Sequence, residues 1–211
     1  STRDPDGHVI DTTSSMLTEA IVMGALKSAS FNTSTDTPGF LDNATVTFRT
    51  AGQVQAGGKV VMQMPDLGAG SQVQSGWGFE VPTVTFATPS TGAPSATAEF
   101  NASTRTLTIT TSGADMPQGS TYVMIITNVR TPSSQVSAKH VITTTRDTQD
   151  KDIDMTPSMT LDNIVPGILR SAVFDAATDT PGFMDTVTVT FMTSGQIEVG
   201  GSLEVFMPAL H

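Results

Sequence analysis

Apolar and polar residues alternate along much of this chain with the two-residue period of a strand. In 44–50, ATVTFRT, Val46 and Phe48 fall on one face and Thr45 and Thr47 on the other. The same reading predicts short strands at 28–31, 59–64, 79–81, 82–86, 95–100, 106–111 and 121–128. Turn chemistry punctuates them: Thr37-Pro38-Gly39, Gly52, Gly57-Gly58 and Pro65. Residues 1–11, STRDPDGHVID, predict the end of a hairpin whose tip is Asp4-Pro5-Asp6-Gly7. A second polar-tipped hairpin is predicted at 144–154, TTRDTQDKDID, fed by a strand at 139–143. Residues 12–25 and 155–167 lack clear alternation. Pro157 and Pro166 argue against a helix in the second of these, so both are predicted to be extended linkers.

The pattern also recurs on a much longer scale. Residues 26–67 return at 169–210 without a gap and with roughly half the positions identical, Lys27 aligning with Arg170 at an offset of 143 residues. T-D-T-P-G-F stands unchanged at 35–40 and 178–183. The match runs backwards too, Thr2-Arg3-Asp4 answering Thr145-Arg146-Asp147 and Ser15-Met16 answering Ser158-Met159. The chain therefore reads as about one and a half copies of one unit: the end of a preceding copy in 1–25, a complete copy in 26–154, and a linker with the first strands of the next in 155–211. Both edges fall inside a copy, so the chain is expected to be a piece of a longer precursor. Strands short and regular enough to carry turn signals about every 8–12 residues predict an all-β fold of tandem immunoglobulin-like antiparallel β-sandwich repeats.

Composition narrows the function. Ser and Thr make up roughly a quarter of the 211 residues, which suits exposed strand faces and equally suits glycosylated surface proteins. The net charge of −10, with only 10 Lys and Arg, provides no basic face for nucleic acid. No cysteine is present, which excludes disulfides, zinc-thiolate sites and thiol catalysis. No apolar run approaches the ~18 residues of a membrane span.

Candidate chemistry is sparse. Sequons begin at Asn32, Asn43 and Asn101, although the next copy has Asp175 and Thr186 in place of the first two. Asp36 and Asp42 flank the T-P-G-F turn, and Asp147, Asp150, Asp152 and Asp154 crowd the second hairpin. Oxygen ligands on loops suit Ca²⁺, so Asp36, Asp42, Asp147 and Asp150 are the candidate metal ligands. Turn capping by solvated carboxylates is the simpler expectation. His8, His140 and His211 are far apart, and His8 is Lys151 in the next copy. No G-x-S-x-G elbow and no acid pair among Glu19, Glu80, Glu99, Glu198 and Glu204 suggests catalysis, so the chain is not expected to be an enzyme and no cofactor is implied. Trp77 in SGWGFE is read as a strand-edge core residue, with a sugar-stacking role as the alternative.

The motif T-x-x-F-x-T-x-G-x-(I/V)-x-x-G-G-x-(V/L), running from Thr45 to Pro65 and from Thr188 to Pro208, resembles the tandem β-sandwich modules of giant extracellular surface and fibril proteins. The resemblance implies an extracellular, architectural role with N-linked and O-linked glycans. Its partners would be neighbouring repeats or further copies of the chain, with strand donation between copies the sharper form of that expectation. The alternative is an adhesin-type binding module, stiffened by Ca²⁺, that grips glycan through loops 37–39 or 68–76.

Overall fold

The computed structural model describes residues 1–13, 15–67, 76–197 and 199–207. Among them every regular element is a strand. β1 (Thr2–Arg3) and β2 (Val9–Asp11) form a small exposed hairpin. Its tip is held by Asp4, whose Oδ1 accepts from the amides of Asp6 at 3.1 Å and His8 at 2.7 Å. There follow β3 (Gly24–Ala25), β4 (Lys27–Thr33), β5 (Leu41–Arg49), β6 (Lys59–Gln63), β7 (Gly78–Phe79), β8 (Val84–Thr88), β9 (Ser95–Asn101), β10 (Thr106–Ser112) and β11 (Thr121–Arg130). β12 (His140–Arg146) and β13 (Asp152–Leu161) form the second hairpin, and β14 (Arg170–Ala176) pairs with β15 (Val187–Met192).

One sheet contains most of the chain. Its order is β7-β11-β5-β4-β13-β12-β6-β10-β9, with β3 added to β13 and β8 to β11. The neighbours are antiparallel except that β13 takes both β3 and β4 in parallel. That pairing joins two halves, β9-β10-β6-β12-β13 and β4-β5-β11-β8, across a single core, and β8 lies against β9 at the other side. The sheet is therefore nearly a barrel, where the strand pattern predicted two separate facing layers. Alternation fills its interior: Val46 and Phe48 of β5, Leu107 and Ile109 of β10, and Met124 and Ile126 of β11 are fully buried. Aromatic edges interlock, with Phe31 to Trp77 at 5.7 Å and Phe86 to Tyr122 at 6.0 Å between ring centroids.

The boundary expected between Asp154 and Met155 falls inside β13. Residues read as linker are core: Met159, Leu161 and Ile164 are buried with the rest. Pro157 is accommodated because the ladder slips there. Thr143 pairs with Thr156 and Val141 with Met159, so Pro157 and Ser158 bulge opposite Ile142 alone. Asp154, grouped by sequence with solvated turn acids, is fully buried. Its carboxylate accepts from the amide of Gly52 at 2.9 Å and of Ala51 at 3.1 Å, two donors that strand pairing leaves open.

β14 and β15 pair in the register of β4 and β5 moved along by 143 residues: Lys27↔Arg49 becomes Arg170↔Met192, and Phe31↔Val46 becomes Phe174↔Val189. Both ladders carry the same irregularity, with Ser28 at φ 51° and Ser171 at φ 49°. Their surroundings differ. Phe31 is 0% exposed and Phe174 48%.

Candidate functional site

The recurring T-D-T-P-G-F turn lies where the compact sheet meets the segment that follows it. Pro38 presets its own φ, and Gly39 takes φ +68°, a left-handed angle that its lack of Cβ allows. The turn is laced to the chain just past β11. The Gly39 amide donates to Pro132 O at 2.8 Å, the Thr131 hydroxyl donates to Thr37 O at 2.6 Å, and the same hydroxyl accepts from the Phe40 amide at 2.9 Å. Its outer side receives Ser194-Gly195-Gln196. Arg130 Nη1 donates to Gly39 O at 3.2 Å and to Gln196 Oε1 at 2.8 Å, while the rest of the guanidinium holds Glu80 Oε1. The approach is close enough that a Cβ on Gly195 would sit 2.4 Å from Pro38 O. The Val165 amide adds a bond to Asp36 O at 2.9 Å. A cleft of about 500 Å³ remains between Thr37 and Phe40 on one side and Ile168, Arg170 and Met192 on the other.

This joint gives a direct prediction. Gly195→Val collides with backbone, which cannot swing away as a side chain can. It is expected to separate segment 167–207 from the compact sheet without changing the unfolding midpoint of that sheet. Small-angle scattering would show a longer particle, and an unchanged scattering profile would mean the contact does not fix the geometry.

Of the candidate metal ligands, Asp42, Asp147 and Asp150 accept hydrogen bonds from the chain's own donors. Asp42 Oδ2 accepts from Thr35 Oγ1 at 2.9 Å, and Oδ1 from the Asn43 amide at 2.8 Å. Asp185 repeats this cap with Thr178 Oγ1 at 2.6 Å, and that bond holds the Asp185 carboxyl below the usual carboxylate range. Among the described residues Asp36 and Asp42 belong to no group of three or more ligand-type side chains close enough to share an ion. Asp147 Oδ1 caps its hairpin by accepting from the amides of Gln149 at 2.8 Å and Lys151 at 2.9 Å. Asp150 meets Lys59 Nζ at 2.6 Å, and this hydrogen bond is the main cause of its lowered pKa. Removing the partner tests the cause: Lys59→Gln is expected to return the Asp150 carboxyl to the ordinary range, as read by a carbon-13 NMR titration. With the folded value depressed, the pair supports folding above the unfolded pKa, and that support fades as pH falls through the folded one. Among the described residues the one cluster with ligand-like spacing is Asp4, Asp6 and His8, on the exposed tip of the first hairpin.

The three sequon asparagines are all exposed, Asn32 on β4, Asn43 on β5 and Asn101 at the end of β9. Asn101 Oδ1 accepts from Ser103 Oγ at 2.7 Å. Trp77 is buried, stands at a T-shaped angle to Phe31 and lines a cleft with Phe79, Phe100, Arg105 and Arg130. Residues 68–75 of the 68–76 loop, as well as Glu198 and His211, lie outside the described residues. Among the described residues no helix is long and apolar enough to cross a membrane. Compared with protein-family models, with curated proteins and with solved structures, the chain matches none.

Proposed function

We propose that this chain is a structural segment of an extracellular, glycosylated filament or surface rod built from tandem immunoglobulin-like sandwiches with a period of 143 residues. It acts mechanically and is not an enzyme. The observation that carries the reading is the coincidence of two ladders. β4–β5 and β14–β15 share their register, their left-handed serine and their Thr-to-Asp turn cap at one constant offset. A sequence period that returns the same backbone irregularity is what stacked identical modules require. The joint supplies the second requirement, a fixed angle between neighbours, through Arg130, Gln196 and the crowded Gly195. Exposed asparagines at three sequons suit glycans that shield strand edges.

The competing reading, an adhesin gripping glycan through 37–39, fits less well because that turn is already engaged on both sides. Electron microscopy of the native material, combined with mass spectrometry of its intact chain and glycopeptides, tests the proposal. Regular filaments with sugar on Asn32, Asn43 or Asn101 are expected. Isolated particles with bare asparagines would overturn it.

A further inference from the structure

The near-barrel does not close completely. β7 and β9 are the two ends of the sheet order, and among the described residues no ladder joins them. Their rings meet across the gap, Phe79 of β7 and Phe100 of β9 standing 4.7 Å apart between centroids. A cleft of about 570 Å³ opens at this seam, within the roughly 300–1,000 Å³ of small-molecule sites. Its walls are the end of β6, residues 76–80 around β7, the turn after β9, and Arg130 at the end of β11. Every lining residue belongs to the complete copy.

Three features limit what the cleft can hold. The first is hydrogen bonding. Among the described residues three buried side-chain nitrogens or oxygens lack a partner, and two of them, Trp77 Nε1 and Arg105 Nε, belong to residues lining this cleft. Buried N–H groups are nearly always paired in folded proteins, so both call for an acceptor that the chain itself does not supply. The second is charge. Arg105 is paired with Asp66 at 3.3 Å, and Arg130 is held by Glu80. Two guanidiniums and two carboxylates cancel, so a charged ligand of either sign would meet a like charge beside each opposite one. The third is surface. Trp77 and Phe79 are buried, but Phe100 is half-buried and keeps aromatic surface beside the polar groups. Glu80 meets Arg130 through Oε1, which leaves Oε2 to accept from a ligand hydroxyl.

We propose that this cleft binds a neutral hexopyranose unit. Such a ring has an apolar C–H face to lay against Phe100, and each of its hydroxyls both accepts and donates. It can accept from the Trp77 and Arg105 N–H groups while donating to Glu80, which neither a purely apolar ligand nor a fully ionised one can do. One wall shows the backbone strain that functional sites carry. Arg105 takes φ 55°, a left-handed angle that glycine would adopt freely, yet a long cationic side chain stands there and lines the cleft. This sugar-binding activity goes beyond the mechanical reading and does not depend on it. The sugar comes either from another molecule or from a glycan on the chain itself, since Asn101 directly precedes the turn that forms one wall.

Trp77 is the single tryptophan, so its emission reports on the cleft. Titration of the unglycosylated full chain with glucose, galactose, mannose and N-acetylglucosamine is expected to give a saturable emission change with at least one of them. Nitrogen-15 NMR shifts should be confined to residues around 76–80 and 100–105. The charged sugars glucuronate and glucosamine are expected to bind at least about tenfold more weakly than the best neutral one. Arg105→Gly removes the guanidinium at a backbone angle that suits glycine, so the fold is kept, and a loss of affinity of about tenfold is expected. Native chain separates the two sources. Undiminished binding means that the sugar comes from another molecule, and binding that appears only after enzymatic removal of glycans means that the chain's own sugar fills the cleft. Absence of a saturable change with every neutral sugar overturns the proposal, as does unchanged affinity in Arg105→Gly or a preference for a charged sugar. None of these outcomes touches the filament reading, which has its own test on native material.

Discussion

Asp154→Ala is expected to lower the unfolding free energy by about 3 kcal/mol, among the largest losses for any polar residue of this chain. Asp154 is fully buried, and its carboxylate is the acceptor for the Ala51 and Gly52 amides. Alanine leaves both donors inside the protein without a partner, at roughly 1–3 kcal/mol each. The carboxylate is closely packed: a Cβ placed on Gly24 would collide with Asp154 Oδ1, and one on Gly52 with Ile153 Cγ2. Asp154→Asn keeps the shape and one good acceptor, so about half the loss is expected from it. The control lies within the same chain. Asp11 occupies the corresponding position but is exposed, and Asp11→Ala is expected to shift stability by less than about 0.5 kcal/mol. Urea unfolding monitored at Trp77 would separate the cases through the midpoint at constant slope. Equal, small effects from both alanine variants would mean the buried carboxylate does not hold the sheet together.

Asp154 also marks where the sequence stops being legible. Strands whose apolar residues alternate were readable: 44–50, 106–111 and 121–128 fall within or beside β5, β10 and β11, whose inward faces are Val46, Leu107 and Met124. β13 was readable only at its start, as the second arm of the hairpin at 144–154, because its inward face mixes Asp154 and Thr156 with Met159, and its middle holds a proline. Hydrophobic periodicity cannot register a strand whose buried positions are partly polar. Its parallel partner is no more visible, since Thr160 Oγ1 meets Ala29 O across 131 residues of intervening chain. The joint was half legible. The unchanged T-D-T-P-G-F marked a structural turn, but nothing local announces that Arg130 reaches Gln196, 66 residues on. The acidic turns behaved as local chemistry predicts, because an Asx cap involves only neighbours within a few residues.

Phe31→Ala is expected to cost about 3–5 kcal/mol, the range for emptying a fully buried aromatic site. Phe31 is in edge contact with Trp77 at 5.7 Å and Phe79 at 6.5 Å, and it sits on β4 beside the parallel β13. The loss therefore combines a cavity with weakened packing at the junction of the sheet's two halves. Phe174 holds the same place in the same ladder but is 48% exposed, so in the monomeric chain Phe174→Ala is expected to cost about 1 kcal/mol or less. The two phenylalanines share sequence context, register and strand type. What separates them is cover: Phe31 has β13 alongside and Trp77 and Phe79 against its ring. Measured by chemical denaturation at a concentration where the chain is monomeric, a large difference would show that stability here comes from completing the sheet and not from the ladder itself. Similar costs from the two variants would mean that β14–β15 already has a core of its own.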